Sequence, residues 1–116
     1  MATILVVDDE KPIRTLIALI LRSAGHNVIA ASNGVEGVAL FRSSPDRFDL
    51  ILTDLEMPIM NGHQLVKLVR ETNASANIIC MSGYTNEPIP ANTEFLQKPF
   101  TSDLLRARVD KLLYQR

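Results

Sequence analysis

Residues 3–10 read Thr-Ile-Leu-Val-Val-Asp-Asp-Glu, a short apolar run that ends abruptly in three acidic residues. An apolar, β-branched run without polar alternation predicts a strand buried on both faces. A helical pattern follows at once, because Pro12 suits a first helical turn and Gly25 suits its end. Between them, the apolar residues that recur at spacings of three and four are Ile13, Leu16, Ile17, Ile20 and Ala24. We expect this stripe to face the core and Leu19, which falls off it, to be exposed.

The same alternation of strand and helix continues along the chain. Further strands are predicted at Asn27–Ala31, Leu50–Thr53, Asn77–Met81 and Glu94–Gln97. Further helices are predicted after the cap Asn33, over His63–Arg70 and after the cap Thr101. Strands that alternate with helices predict an α/β fold with a doubly wound parallel sheet and right-handed crossovers. In such sheets the ligand crevice lies outside the carboxyl ends of the strands.

Composition narrows the class of protein. A chain of 116 residues, 47% apolar and 22% charged, predicts one globular domain over residues 1–116. Twelve Lys and Arg against thirteen Asp and Glu argue against a nucleic-acid partner, because phosphate neutralisation needs clustered basic residues. The longest apolar run, Leu16–Leu21, is too short to span a bilayer, and no basic flank of a secretory signal precedes Asp8. Cys80 alone excludes an internal disulfide and a Cys-rich zinc site, and we expect it to be buried. These observations predict a cytoplasmic domain without a membrane partner.

Polar residues follow four of the five predicted strands. Asp8 and Asp9 follow the first strand, Asp54 the third, Ser82 the fourth and Lys98 the fifth. Taken singly, each has an ordinary explanation as a helix-start, turn or surface residue. Their common location favours a site, because the carboxyl ends of parallel strands meet at one edge of the sheet.

Three carboxylates at one edge need compensation. At about 4 Å and an effective dielectric near 20, each like-charged pair costs about 4 kcal/mol. Either one carboxylate takes a proton or a cation lies among them, and all-oxygen ligands favour Mg²⁺. A carboxylate beside Mg²⁺, a lysine and a hydroxyl is also suited to phosphoryl transfer, with the carboxylate as nucleophile. Ser82 would then donate a hydrogen bond to a phosphoryl oxygen.

Four motifs in this order resemble the receiver domain of two-component response regulators. They are Val6–Glu10, Asp54–Gly62, Met81–Tyr84 and Phe95–Phe100, and they extend over nearly the whole chain. The resemblance implies a flavodoxin-like, five-stranded parallel sheet of order 2-1-3-4-5.

The resemblance also implies a role for each acidic residue. Asp54 would accept a phosphoryl group from a phosphohistidine on a histidine kinase or a histidine phosphotransfer protein. Asp9 and Asp54 would bind Mg²⁺ directly, together with the backbone carbonyl of Glu56, and Asp8 would bind it through a water molecule. The receiver would thereby catalyse its own phosphorylation and a slow autodephosphorylation.

The resemblance also implies that the remaining motif residues take part in the response to phosphorylation. Lys98 would pair with the phosphoryl oxygens, and its peptide bond to Pro99 is expected to be cis. Ser82 would move toward the phosphoryl group while Phe95 turns inward, shifting an equilibrium between two surface states that a downstream protein target distinguishes. Glu56 and Tyr84 would influence the rate of hydrolysis.

One segment departs from the family pattern. The stretch from Ser82 to Lys98 is short and contains Pro88 and Pro90, which remove backbone donors and favour extended geometry. We therefore expect the family's fourth helix to be short or absent. We also expect residues 85–93 to form a mobile loop that becomes ordered on phosphorylation or partner binding.

Three alternatives remain open at this stage. The chain is compatible with a stand-alone receiver, acting by protein contact or as a phosphate sink, and with a receiver of a hybrid histidine kinase. An aspartyl-phosphate phosphatase would use Glu56, two residues after the nucleophile, as its acid and base. A pseudo-receiver would be an interaction module without chemistry. His26 and His63 are expected to have ordinary surface or capping roles, since neither follows a strand.

Overall fold

The structure is a computed structural model that describes residues 2–84 and 88–114. The strands are β1 Thr3–Val7, β2 Asn27–Ala31, β3 Leu50–Asp54, β4 Ile78–Ser82 and β5 Glu94–Gln97. The helices are α1 Lys11–Ser23, α2 Gly34–Ser43, α3 Gly62–Thr72 and α4 Ser102–Tyr114. The predicted strands are confirmed to within one residue at each end. A short 3₁₀ turn, Pro45–Arg47, follows α2 and was not predicted.

All five strands are parallel, in the order β2-β1-β3-β4-β5. The observed strand order confirms the flavodoxin-like sheet of order 2-1-3-4-5 that the resemblance implied. Val7 of β1 lies opposite Thr53 of β3, and Asp54 lies opposite Met81 of β4. Ser82 in turn lies opposite Gln97 of β5. The residues that follow these strands are therefore neighbours along one edge of the sheet.

Helices cover both faces of the sheet, as predicted. Alternate strand residues face opposite sides, so Ile4 and Val6 pack on one face while Leu5 and Val7 pack on the other. The first face is covered by α1 and α4, through Ile17, Leu21, Leu105 and Val109. The second is covered by α2 and α3, through Phe41, Leu65, Val66 and Val69. Within residues 2–84 and 88–114, no helix is long and apolar enough to cross a bilayer.

The apolar stripe of α1 is narrower than predicted. Ile17 and Leu21 are buried and Leu19 is exposed, as expected, but Leu16 is 55% exposed. Leu16 lies about 100° around the helix from Ile17, which places it on the flank of the buried face. The prediction that Leu16 belongs to the core is therefore wrong. The same correction applies to Ala24, which lies beyond the last helical residue and is exposed.

Two of the helix N-caps in the structure were predicted from the sequence, and a third was not. Asn33 accepts the backbone N–H of Glu36, and Thr101 accepts that of Leu104, so both predicted caps are confirmed. A complete capping box, in which Asn61 and Gln64 exchange side-chain to backbone hydrogen bonds, was not predicted. For that reason α3 begins at Gly62 and not at His63.

The two histidines differ in environment. His63 is exposed, and its Nε2 lies 2.9 Å from the carbonyl oxygen of Pro88. His26, expected at the surface, is buried, and its Nδ1 accepts the backbone N–H of Ala2 at 3.2 Å. The chain reverses at Gly25, whose φ of 95° is in the region that favours glycine, and this turn directs His26 toward the start of β1.

The described residues between β4 and β5, 83–84 and 88–93, contain no helix. The part that follows residue 87 runs along α3, where the Arg70 guanidinium donates to the carbonyl oxygens of Ala91 and Asn92 at 2.9 and 2.7 Å. The predicted mobile loop, 85–93, includes residues 85–87, which lie outside the described residues.

Candidate functional site

Two buried carboxylates form the centre of the site. Asp8 follows β1 and Asp54 ends β3, and these strands are hydrogen-bonded neighbours. Asp8 is 0% exposed and Asp54 is 2% exposed. The backbone N–H of Asp8 donates to the carbonyl of Ala31, which continues the sheet pattern one residue past β1. Topology thus brings together carboxylates that are far apart in sequence.

Lys98 bridges the two carboxylates. Its Nζ lies 3.1 Å from Asp8 Oδ2 and 3.3 Å from Asp54 Oδ1. The backbone N–H of Lys98 donates to the carbonyl of Ser82 at 2.8 Å, which continues the pairing of β4 and β5 and aims the side chain along the strand ends. The Lys98–Pro99 peptide bond is cis, as the resemblance implied.

Burial and charge oppose each other at this centre. Burial raises the pKa of Asp54 to about 6, although the Lys98 ammonium acts to lower it and Asp8 acts to raise it. Burial also acts to lower the pKa of Lys98, but Asp54 and Asp8 outweigh it, and the pKa is raised above its ordinary value. Lys98 is therefore a fixed cation, and Asp54 is the group whose charge depends on pH near neutrality.

A cluster of acidic oxygens surrounds Asp54. Among the described residues, Asp8, Glu10 and Asp54 each offer one carboxylate oxygen within 4.8 Å of the others. An all-oxygen donor set of this size fits a hard divalent cation such as Mg²⁺. Asp9, the predicted direct ligand, is exposed and is not a member of this cluster.

Glu10 belongs to this cluster although it is not one of the predicted site residues. Its backbone N–H donates to Asp8 Oδ1 at 2.9 Å, so the chain turns sharply after β1. This turn brings a carboxylate two residues beyond Asp8 back toward the strand end. The available signal was the third acidic residue of the run that also contains Asp8 and Asp9.

Ser82 is at the predicted edge and is buried, and its hydroxyl is hydrogen-bonded to Glu56, which is not a member of the acidic cluster. Ser82 Oγ donates to the Glu56 carboxylate, with both carboxylate oxygens at 2.9 Å. It also accepts the backbone N–H of Tyr84 at 3.0 Å. The resemblance implied a backbone carbonyl ligand and an influence on hydrolysis for Glu56, but not a hydrogen bond between its side chain and Ser82.

The loop between β3 and α3 passes close to the backbone at the end of β3. Gly62 donates its backbone N–H to the carbonyl of Leu55 at 3.0 Å. A Cβ at Gly62 would collide with the backbone carbonyl oxygen of Asp54 and approach Leu55 Cα to 2.8 Å. Glycine is therefore required here, since it lets α3 begin against the end of β3.

The remaining predicted residues flank the centre. Tyr84 is exposed, and Phe95 is half-buried on the edge strand β5. Cys80 is buried, and burial raises the pKa of its thiol to about 11, which suits a core residue and not a reactive one. The proposed motion of Phe95 and the influence of Tyr84 on hydrolysis stay predictions.

An apolar depression of about 360 Å³ lies beside Lys98. It is lined by Ile13, Leu16, Ile17, Lys98, Pro99 and Phe100. Leu16, which is exposed, forms one of its walls. The surface next to the two buried carboxylates is thus apolar, although the centre itself is ionic.

Proteins of known family are similar to this chain along most of its length. Sensor kinase CckA of Brucella abortus (strain 2308) is 33% identical over 118 residues, which cover 97% of this chain and 12% of the kinase. Transcriptional regulatory protein GlrR of Escherichia coli (strain K12) is 30% identical over 120 residues, which cover 98% of this chain and 27% of the regulator. The chain therefore spans only about an eighth and about a quarter, respectively, of these relatives.

Solved structures give the same result along almost the whole chain. Response regulator protein TrrA of Thermotoga maritima, in complex with Mg²⁺-BeF, has a TM-score of 0.88 and 33% identity, covering 97% of this chain and 100% of that one. The receiver domain of hybrid histidine kinase CckA has a TM-score of 0.86 and 32% identity, covering 96% and 98%. The family model for the response regulator receiver domain matches residues 4–110. The chain belongs to the response regulator receiver domain family of two-component signalling.

Proposed function

We propose that this receiver accepts a phosphoryl group on Asp54 from a phosphohistidine, with Mg²⁺ as cofactor, in the cytoplasm. The observation that carries the proposal is the ion-paired centre, in which Lys98 Nζ contacts both Asp8 and Asp54 at the carboxyl edge of the sheet. Burying two carboxylates and an ammonium costs desolvation free energy, so finding them together favours a site that binds a charged group.

The transfer needs Asp54 as its carboxylate. A P–O bond forms at one Asp54 oxygen as the P–N bond to the donor histidine breaks, and the electron pair of the P–N bond stays on the imidazole nitrogen, which takes a proton. Because the pKa of Asp54 is about 6, most of this side chain is ionised at pH 7. The ammonium of Lys98 neutralises charge on the transferring oxygens.

The acidic cluster is the proposed place of the metal. Asp54, Asp9 and the backbone carbonyl of Glu56 are the proposed direct ligands, with Asp8 acting through water. Asp9 is exposed and lies outside the cluster, so its carboxylate would have to turn toward the metal. Glu10 joins this set as a further oxygen donor, because its carboxylate lies within the cluster. Bound Mg²⁺ would supply positive charge against the oxygens of the incoming phosphoryl group.

The proposed phosphodonor is a histidine kinase or a histidine phosphotransfer protein. Its histidine must come within bonding distance of Asp54, so its surface must cover the neighbourhood of Lys98. The apolar depression there, with exposed Leu16 on one wall, offers area to a docking protein beside the reacting groups. A downstream target would then read the surface of the phosphorylated form.

Phosphotransfer profiling tests the proposal. The purified chain is mixed with phosphorylated histidine kinases and phosphotransfer proteins, and transfer of label is followed with and without Mg²⁺, with Asp54→Asn as the control. We expect Mg²⁺-dependent labelling of the wild type and none of the variant. Beryllium trifluoride, a phosphoryl mimic, should bind under the same conditions. Steady hydrolysis of a small phosphate ester would instead indicate a phosphatase, and absence of both adducts would indicate a pseudo-receiver.

A further inference from the structure

The hydroxyl of Ser82 has its hydrogen-bonding capacity committed to two partners. A serine hydroxyl carries one hydrogen to donate and oxygen lone pairs to accept with. Its hydrogen is directed at the Glu56 carboxylate, and its oxygen accepts the N–H of Tyr84. Ser82 is 0% exposed, so water does not compete for this hydrogen. As long as Glu56 accepts it, Ser82 has no hydrogen to offer to a group on Asp54.

The Glu56 carboxylate, which accepts the hydrogen bond from Ser82, is more exposed than the serine. Ser82 is the last residue of the fully buried strand β4, whereas Glu56 follows β3 on a loop and is exposed. A hydrogen bond to a carboxylate is stronger than one between neutral groups. The bond therefore stabilises one position of the serine hydroxyl, yet the carboxylate that makes it can turn into water without opening the core.

We propose that Glu56 is a positioning residue that holds the Ser82 hydroxyl hydrogen in the unphosphorylated receiver, so that it is not available to a group on Asp54, and that phosphorylation must displace Glu56. This inference rests on the proposed phosphorylation of Asp54. A phosphoryl group at that edge adds negative charge close to the Glu56 carboxylate and offers oxygens as alternative acceptors. The Ser82 hydroxyl then donates its hydrogen bond to a phosphoryl oxygen and no longer to the Glu56 carboxylate. The Glu56 side chain is thereby released to solvent.

The energetic consequence is a bias toward the unphosphorylated arrangement. A ligand that needs the Ser82 hydroxyl must first break its bond to Glu56, so its apparent affinity is reduced by that amount. Removing the Glu56 carboxylate should tighten binding of a phosphoryl mimic. Removing it also deletes a negative charge near an anion site, which tightens binding by a separate electrostatic route. The two routes differ in whether they require Ser82.

A double-mutant cycle separates the two routes. The half-saturating concentration of beryllium trifluoride is measured in excess Mg²⁺ for the wild type, Glu56→Ala, Ser82→Ala and the double variant. We expect Glu56→Ala to tighten binding about tenfold when Ser82 is present, the scale of one charge-assisted hydrogen bond. When Ser82→Ala has removed the hydroxyl, the same substitution should tighten binding by about threefold or less, since only the charge effect remains. Glu56→Gln, which keeps an acceptor oxygen without charge, should be intermediate.

A matched control addresses charge at a distance. Glu71→Ala deletes one carboxylate on α3 that pairs with Arg42 in an exposed salt bridge. It should leave the half-saturating concentration unchanged. Equal tightening by Glu56→Ala with and without the Ser82 hydroxyl would overturn the proposal and leave Glu56 as a charge effect alone. Lack of any wild-type adduct would overturn the proposed function and this inference with it.

A second readout uses the protein without any phosphoryl mimic. The χ1 angle of Ser82, measured by NMR couplings in free protein, should be confined to one rotamer in the wild type. In Glu56→Ala it should be averaged over several rotamers, and Glu56→Gln should restore much of the wild-type preference. A Ser82 rotamer unaffected by Glu56→Ala would contradict the positioning role even if affinity changed.

Discussion

Asp54 is a buried acid whose charge state is linked to folding. Its pKa rises from an ordinary 3.8 to about 6 in the folded protein, mainly because burial disfavours the carboxylate. The folded state thus holds this proton more tightly than the unfolded chain does. In metal-free protein, its contribution to stability is complete below pH 4 and is lost as pH rises through 6.

This linkage predicts a pH-dependent decline in the free energy of unfolding. We expect metal-free wild type to lose up to about 3 kcal/mol from this group between pH 4 and pH 7. Asp54→Asn should lack the decline and be the more stable protein at pH 7. Urea unfolding at several pH values in the presence of a chelator measures it. Asp110→Asn, an exposed change on α4, should keep the wild-type slope; a flat wild-type profile would contradict the assignment.

The residues of the ionic centre were predictable because their positions depend on backbone topology. Once β1, β3 and β5 are assigned to one parallel sheet, Asp8, Asp54 and Lys98 lie along its carboxyl edge. The long Lys98 side chain then reaches past β4 to both carboxylates. The hydrogen bond between Glu56 and Ser82 depends on side-chain rotamers in a loop. Nothing in residue order specifies such a contact, so the sequence indicated the residues but not their pairing.

At the scale of elements, the junction of β3 and α3 depends on Gly62. A Cβ at this position would meet backbone atoms of Asp54 and Leu55, which cannot move without displacing the strand end. We expect Gly62→Ala to destabilise the protein by about 1–3 kcal/mol, as overpacking does. Gly83→Ala is the matched control, because a Cβ there meets no atom within 4 Å. Equal urea midpoints for the two variants would contradict the close approach.

The connection from β4 to β5 depends on α3 through Arg70. Its guanidinium contacts the carbonyls of Ala91 and Asn92, which are backbone acceptors in residues 88–93, where no helix forms. We expect Arg70→Met to raise amide exchange at Ile89 and at residues 91–93, which carry backbone N–H groups, about tenfold, the effect of losing about 1.4 kcal/mol of local stability. Arg42→Met, which removes only an exposed ion pair to Glu71, should leave that exchange unchanged. Unaltered exchange in both variants would show that Arg70 does not order this segment.

Element prediction succeeded where one physical signal dominated. The central strands β1, β3 and β4 are apolar runs bounded by polar residues, and burial on both faces demands that composition. The predicted stripe of α1 includes Leu16 although this residue is exposed, because periodicity alone does not show how far neighbouring elements cover the flank of a helix. The capping box at Asn61 was missed because it lies inside a loop rich in other turn signals.

At the scale of the whole molecule, the apolar depression and the ionic centre should act together in recognition. Leu16 and Leu19 are both exposed on α1, at 55% and 61%, but only Leu16 lines the depression. We expect Leu16→Asn to slow transfer from a phosphohistidine protein about tenfold, by weakening docking, and to leave phosphorylation by acetyl phosphate unchanged. Leu19→Asn should affect neither rate. Equal slowing by both variants would exclude a specific docking role for the depression.

The most direct test of phosphoryl acceptance is reductive trapping of the acyl phosphate. The protein is incubated with acetyl phosphate and Mg²⁺, reduced with borohydride and mapped by peptide mass spectrometry. We predict conversion of residue 54, and of no other aspartate, to homoserine, and no conversion when Mg²⁺ is chelated. Homoserine at Asp8 or Asp9, or an unmodified peptide around Asp54 in the presence of Mg²⁺, would contradict phosphoryl acceptance at Asp54.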